Sequence, residues 1–513
     1  MLLEHTEPIE LSKTIQPNPK SRGCEKDQKQ KIPPKSASGH RRRELLADTI
    51  CRTFSRRESN DSRSHSVSVS DQDIPARTVS MWLSVPTNHS SSSSTESTYS
   101  YMTSSSSTRP PSFSSSSSSY DPRSEADSRG TAGSTETVPH VPSHPCTRYP
   151  STPRVASLSG KASIRDVERL AVQYGSMAHM GLLDPSYSVF VNEAKTGAIC
   201  FKTLYKVAVV MGDPMCDLAQ IASLLSEFSL YRRRKRWSMA VLGAKTELVR
   251  YFSEGEAKSR STILQFARER VLNPLTNSVV NETSGKRILT QCRQLLDARK
   301  EGLTLHIYIP SLHGPDHRLE AQLRALYDDW RTARNKSRRP QAFITEYDPF
   351  LMPHLMTYIY TTSPDGVMHG FAALRWIGAN AGYHIDPCIA APGSRNGISD
   401  LLLFAAMAYL RQSGVSHLSL GLEPLESIES VSEMSPLLAH LTQRIYQHTF
   451  RRLPISGKRA YFDKFKPDEN QDAPVYLIFP STIPEPRQVV AVAHIANISI
   501  RRLFIREKQK EAS

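Results

Sequence analysis

The stretch "NGISDLLLFAAMAYLRQSGVSHLSLGLEPL" (Asn396–Leu425) decides the fold class. Ile398, Leu401, Leu402, Ala405, Ala408 and Tyr409 recur at three- and four-residue spacing. That period predicts a helix from Ile398 to Gln412 with one apolar face. "HLSLGL" (His417–Leu422) follows at once and reads as a strand. A helix feeding directly into a short strand points to a mixed α/β domain.

The flanks extend the pattern. "MTYIYTT" and "MHGFAALRWI" are strands joined by Ser363-Pro364-Asp365-Gly366, a hairpin turn, and "GANAG" leads into "YHIDPCIA". Upstream lie a helix over 286–300, a strand over 303–309 and a helix over 318–334. Downstream come a helix over 435–449, then "AYFDKFKPD" and the strand "PVYLIFP". The preceding part repeats the theme. Strands 187–192, 198–204 and 206–212 precede a helix in "DPMCDLAQIASLLSEFSLYRRRKR", and a strand over 237–243 follows. Two such halves predict a duplicated α/β (α+β) unit, although no sequence repeat is visible. The expected organisation is a tail over 1–160, a first unit over 161–300, a second over 301–485 and a basic amphipathic helix over 486–513.

Composition separates the tail from the rest. Residues 1–160 are rich in Ser, Thr and Pro, and the tract from Ser90 to Tyr120 is mostly serine. Such a segment buries too little apolar area to offset its ordering entropy and is expected to be disordered. The whole chain has 513 residues, 65 Lys+Arg, 50 Asp+Glu and a net charge of +15. Of these charges, 45 basic and 34 acidic residues follow position 160. The excess suggests a polyanionic partner, nucleic acid or an anionic membrane surface. The longest apolar run, Leu401–Leu410, is too short for a membrane span. "MLLEHTEPIE" carries acids where a signal peptide needs bases. Seven scattered cysteines without a CxxC argue against a disulfide scaffold or structural zinc and suit the reducing cytoplasm.

Three motifs in order carry a resemblance. They are Gly397-Ile-Ser-Asp400-Leu-Leu at the helix start with Leu420-Gly-Leu-Glu-Pro-Leu425 after it, Lys464-Phe-Lys-Pro467, and Tyr476-Leu-Ile-Phe-Pro480; the earlier Gly212-Asp213-Pro214 accompanies them. Over roughly residues 165–500 the chain resembles the catalytic domain of the lysyl-phosphatidylglycerol synthase family. The resemblance implies two tandem GNAT-like domains and transfer of an aminoacyl group from tRNA to a lipid. No flippase segment accompanies the domain, and no segment has the size of an appended aspartyl-tRNA synthetase. The chain is therefore most similar to the free-standing fungal type with a sterol acceptor. Glycine from glycyl-tRNA onto the ergosterol 3β-hydroxyl is the expected reaction, with glycyl-tRNA supplied by a separate synthetase. The aminoacyl ester is already activated, so aminoacyl-tRNA is a co-substrate and no metal or other cofactor is required.

Residue roles follow from that reaction. Lys464, beside Pro467 and an inward Phe465, would hold the terminal tRNA phosphate or the oxyanion, with Lys466 the neighbouring choice; a solvated lysine is the plain alternative. Asp400 would recognise the substrate α-ammonium or assist as a base, or merely complement the helix dipole. Arg375, His384 and Asp386 lie on paired strands and could line the acceptor site, with His384 a possible base or a structural histidine. Glu423 sits where GNAT-like folds place substrate contacts, or is a loop carboxylate. Arg395 in "APGSRNG" would meet a tRNA phosphate at the helix start. Arg232, Arg233, Arg234, Lys235 and Arg236 would bind the tRNA backbone, act as a nuclear signal or form a solvated helix end. The tail of 487–510, with five cations from Arg501 to Lys510, would lie on a membrane surface or pack as a closing helix. The rival functions are acyl-CoA-dependent transfer on the same fold and a non-catalytic adaptor for tRNA or membranes.

Overall fold

A computed structural model describes residues 44–61, 155–158, 161–254, 261–300, 302–336, 347–430, 443 and 456–496. The helices are α1 (Leu46–Asp61), α2 (Lys161–Tyr174), α3 (Ile221–Arg234), α4 (Thr246–Glu254), α5 (Lys286–Leu295), α6 (His317–Asn335), α7 (Ile398–Gln412), α8 (Ser456–Asp463) and α9 (Pro486–Ile495). The strands are β1 (Val155–Ser157), β2 (Ser188–Val191), β3 (Ala198–Leu204), β4 (Val207–Met211), β5 (Ser238–Ala244) and β6 (Thr262–Leu272). They continue as β7 (Thr304–Tyr308), β8 (Met356–Thr362), β9 (Met368–Ile377), β10 (Gly382–Ala390), β11 (Leu418–Ser430) and β12 (Ala473–Phe479).

All twelve strands join one sheet in the order β1-β2-β3-β4-β5-β12-β6-β11-β10-β9-β8-β7. Adding six to each of the first five numbers reproduces the order read from the other end, and β12 and β6 take equivalent places in the middle. The duplication expected from the element pattern is thus present as a two-fold layout of GNAT-like units. Each unit has an antiparallel series followed by a parallel pair, β4 with β5 and β10 with β11. The units also exchange their last strands. β6 pairs with β11 and β12, and β12 pairs with β5. A boundary at 300 therefore separates the two strand series along the chain but does not divide the sheet.

The parallel pairs differ. β4 and β5 stay in register from Val207↔Ser238 to Met211↔Leu242. β10 and β11 pair only at Tyr383↔Leu418 and His384↔Ser419. Beyond that point β10 bulges between Ile385 and Cys388, and β11 shifts register between Ser419 and Leu422. The second unit is open where the first is zipped.

The expected tail needs correction. Within 1–160, α1 is a helix whose Leu46, Ala47, Ile50, Cys51 and Phe54 are buried in the same cluster as α7. Its Leu46 N–H donates to Glu282 Oε1 at 2.6 Å, and Arg411 Nη1 donates to Asp48 Oδ1 at 3.2 Å. The reason lies in α7, where Leu401 to Leu410 are all buried. A helix apolar on every side needs cover on every side. The sheet covers one side of α7, and α5 and α1 pack on it as well. β1 also falls inside the expected tail. The serine tract and, apart from residue 443, the helix expected over 435–449 lie outside the described residues.

The closing helix is α9, capped reciprocally by Glu485 and Gln488. Gln488 Nε2 donates to the Met239 carbonyl at 2.9 Å, and Ala491 and Val492 are buried. This portion packs on the body instead of forming a free amphipathic surface helix. The cations Arg501 to Lys510 lie outside the described residues. Among the described residues no helix is long and apolar enough to cross a membrane.

One buried acid gives this fold a pH signature. Glu168 on α2 is 3% exposed, and its Oε1 has no hydrogen-bond partner. Burial, only partly offset by Arg165, pushes its carboxyl up from 4.5 to about 7. Between those values the unfolded chain has released the proton that the folded chain retains, so stability falls as pH rises through the window. Glu168→Gln removes that loss. Relative to the parent it gains roughly 2–3 kcal/mol between pH 4.5 and pH 8. Thermal melts at both ends check this; an equal Tm difference at the two pH values would refute it.

Candidate active site

Two helix starts face one cleft. β10 leads through the loop 391–397 into α7, and Gly397 there has φ +93°. A Cβ on Gly397 would lie 2.2 Å from the Gln291 side chain of α5. Gly285 precedes α5 with φ +71°, and a Cβ there would lie 2.8 Å from Val279. Left-handed backbone in close contact makes glycine the fitting residue at both caps. The N–H groups of the first turns have no intrahelical acceptors, and the helix dipoles add positive potential. The cleft, about 780 Å³, is lined by Lys286, Arg287, Arg395, Lys464 and Lys466 against the single carboxylate of Asp400. Such a lining suits a polyanion.

The centre of the cleft is Lys464 with Asp400 and Tyr461. Lys464 Nζ lies 3.5 Å from Asp400 Oδ2 and 5.0 Å from the centroid of the Tyr461 ring. Asp400 is buried in the first turn of α7, while the Lys464 side chain is 49% exposed. The lysine can thus donate outward from a fixed base. Burial first, then Cys388, Asp400 and Cys292, raises the Tyr461 phenol above its ordinary value, so it stays a neutral hydroxyl. The turn that presents Lys464 is well held. Phe465 is fully buried, and Asn277 Nδ2 donates to the Phe465 and Lys466 carbonyls at 2.7 and 3.2 Å. The Asp468 N–H donates to the Val271 carbonyl at 2.8 Å.

Four of the expected residues, Lys464, Asp400, Lys466 and Arg395, therefore share one cleft. Tyr461, Lys286 and Arg287 join them unexpected. Tyr461 stands in the last turn of α8, which ends at Asp463 immediately before Lys464. Lys286 and Arg287 directly follow a helix-start glycine.

The others lie elsewhere. Along β10, Tyr383 and Ile385 enter the α7 core, so His384 between them faces the other side of the sheet. His384 Nδ1 lies 3.2 Å from the Ser419 carbonyl, a structural hydrogen bond. Arg375, its register partner, is 1% exposed and donates from Nη2 to the Ser176 and Met177 carbonyls at 3.1 Å each. Burial lowers its guanidinium to about 10, and Asp386 is among the groups whose charge opposes that fall. The Arg375–His384–Asp386 trio does not line the cleft, because strand alternation points it away.

Glu423 is also reassigned. It meets Arg268 Nη2 at 2.8 Å, Arg270 Nε at 3.2 Å and Arg459 Nε at 3.7 Å. Arg270, 3% exposed, also meets Asp472 at 2.8 Å and Asp463 at 3.2 Å. A carboxylate held by three arginines is not a free base. It positions the site, since Asp463 immediately precedes Lys464.

The "GDP" motif has a structural task in the first unit. Asp213 Oδ1 accepts from the Lys245 N–H at 2.9 Å, and His179 Nε2 lies 2.8 Å from the Asp213 carbonyl. These contacts tie together the chain segments that leave β4 and β5. Lys245 Nζ lies 3.4 Å from Glu269 Oε2, with His417 Nε2 3.8 Å from Oε1. Burial raises the Glu269 carboxyl, but His417, Lys245 and Ser419 outweigh it and bring it to about 2. Arg232 to Arg236 end α3 and lead into β5; they do not line the cleft. Among the described residues no group of three His, Cys, Asp or Glu is placed to hold a metal ion.

The doubled sheet, open at its second parallel pair beside a cationic cleft, defines a tandem GNAT-like protein. Residues 168–479 match the model of the phosphatidylglycerol lysyltransferase C-terminal domain, and the chain belongs to that family. It is 22% identical over 298 residues to the MprF-like domain protein Rv1619 of Mycobacterium tuberculosis, covering 57% of each chain. It thus spans little more than half the length of that curated relative. Among solved structures, it is similar to L-PGS from Bacillus licheniformis, with 20% identity and a TM-score of 0.48, over 66% of this chain and 96% of that one. It is also similar to the C-terminal DUF2156 domain of a protein designated a lysylphosphatidylglycerol synthetase from Agrobacterium fabrum. There the identity is 17% and the TM-score 0.50, over 66% of this chain and 99% of that one.

Proposed function

We propose that the chain transfers an aminoacyl group from aminoacyl-tRNA to a lipid hydroxyl, with glycine and the ergosterol 3β-hydroxyl as the favoured pair. The observation that carries this reading is the cleft itself: Lys286, Arg287, Arg395 and Lys466, with two helix starts, surround the Lys464–Asp400 pair. The cations bind the terminal phosphates of the tRNA. The lipid oxygen attacks the ester carbonyl, the bond from that carbonyl to the ribose oxygen breaks, and the hydroxyl proton passes to the ribose oxygen. One ester replaces another, so no ATP, metal or other cofactor enters. Alignment of hydroxyl and carbonyl is worth about 7–11 kcal/mol. Lys464 stabilises the developing oxyanion, and Asp400 holds Lys464 or the substrate α-ammonium. The acceptor would be reached from the cytoplasmic surface of an intracellular membrane, and a separate glycyl-tRNA synthetase would supply the donor.

Purified protein incubated with labelled glycyl-tRNA and ergosterol-containing vesicles is expected to place label in the lipid extract, and RNase abolishes it. A second reading, acyl-CoA-dependent transfer, is favoured by one feature: the start of α7 at the end of β10 would equally accept a pyrophosphate. Label transferred from acyl-CoA, and insensitive to RNase, would decide for it.

A further inference from the structure

The loop that enters α7 is built around a serine. Pro392 and Gly393, the latter with φ +80°, take the two central places of a type II turn from Ala391 to Ser394. The Ser394 N–H closes the turn by donating to the Ala391 carbonyl at 3.1 Å. Opposite it, β9 carries a bulge. Thr361 pairs with Gly370 and Thr362 with Met368, which leaves His369 as the extra residue. Bulges re-aim side chains and gather next to active sites. The Ala391 N–H donates to the His369 carbonyl at 2.8 Å, and His369 Nδ1 lies 3.2 Å from Ser394 Oγ. Turn and bulge together thus bring a hydroxyl against an imidazole.

The pair opens onto the cleft. Ser394 is part of its lining, with Lys464 and the start of α7, and the half-buried His369 reaches it from β9. A carboxylate stands nearby in the hairpin turn. The Ser363 hydroxyl foremost, with His369 among the lesser causes, holds the Asp365 carboxyl below its usual range. With the ring proton on Nε2, Nδ1 accepts from the Ser394 hydroxyl at a distance that suits a nucleophile and its base. Lys464 and the free N–H groups of the first turn of α7 are donors for an oxyanion in the same cleft. We infer that Ser394 and His369 form a nucleophilic pair that hydrolyses the aminoacyl ester of tRNA when no lipid hydroxyl is in place.

Ser394 Oγ attacks the ester carbonyl as its proton passes to His369 Nδ1. The bond from that carbonyl to the ribose oxygen breaks, and the ribose oxygen takes the proton. Water then attacks the acyl-serine and gives a proton to His369. The carbonyl–Oγ bond breaks, and Oγ takes that proton back. Free amino acid and uncharged tRNA leave, with no other reactant consumed. This is a second exit for the donor ester, beside direct attack by the lipid. The choice of ester rests on the proposed function; the nucleophile does not.

The test has two readouts on the full chain without lipid. A fluorophosphonate probe, followed by peptide mass mapping, is expected to label Ser394, and His369→Asn slows that labelling roughly hundredfold at unchanged Tm. Labelled glycyl-tRNA is expected to lose its amino acid faster with the protein than in buffer, and Ser394→Ala returns the rate to that of buffer. Should His369→Asn fail to fold, Ser394→Ala, which removes one hydroxyl from a surface loop, still decides. An unlabelled Ser394, labelling at the parental rate in folded His369→Asn, or discharge at the parental rate in Ser394→Ala overturns the inference. Labelling and discharge without transfer to lipid vesicles uphold it and fail the proposed function. Transfer to lipid with an unlabelled Ser394 does the reverse.

Discussion

Lys464→Met is expected to lower aminoacyl transfer roughly 10²–10³-fold, the loss typical of removing one oxyanion donor. Its effect on the fold should be small. The Lys464 side chain is 49% exposed, and its pairing with Asp400 at 3.5 Å is that of a part-exposed ion pair, worth about 0–1 kcal/mol. Methionine keeps the stem that packs near Tyr461 and deletes only the charge. Steady-state transfer to lipid, beside a thermal melt of the same sample, separates catalysis from folding. A variant that transfers at the parental rate removes Lys464 from the mechanism and leaves the adaptor reading standing. If transfer is lost only because the protein melts, the lysine is structural.

The second large effect concerns the N-terminal helix. Phe54→Ala is expected to cost roughly 3–5 kcal/mol, the range for a buried phenylalanine. Phe54 is 6% exposed and shares a cluster with α7. A chain that starts after Asp61 loses Leu46, Ala47, Ile50 and Cys51 as well. It leaves part of the α7 surface without cover, so it should bind a hydrophobic dye and aggregate on warming. Urea unfolding of the point variant and dye binding of the truncated chain measure this. A truncated chain with the parental midpoint and no dye signal would show that α1 is dispensable.

What was legible follows from how local each signal was. The turn at Ser363–Gly366 was plain because its chemistry sits in four residues, and the Ser363 N–H indeed bonds to the Val367 carbonyl at 2.9 Å. The cleft residues Lys464, Asp400, Lys466 and Arg395 came from motifs that fold locally at a helix start and a turn. β6 was missed because Arg268, Glu269 and Arg270 interrupt it. The two arginines fit a central strand through Glu423, Asp472 and Asp463, which follow more than 150 positions later, and Glu269 fits through Lys245 and His417. The faces of Arg375 and His384 were misjudged because alternation gives two sides without saying which one holds the cleft. α1 was lost when its apolar stripe was averaged into a serine-rich segment. The exchange of β6 and β12 left no sequence trace at all.

That exchange constrains how the protein is made. On the ribosome, β5 emerges long before residues 473–479, its eventual neighbour. Through most of synthesis the nascent first half presents Ser238–Ala244 as an open, apolar edge. Such an edge invites pairing with other chains. The last stretch translated closes the gap, so a message truncated upstream of it yields an aggregation-prone fragment and a client for chaperones, not a smaller working domain.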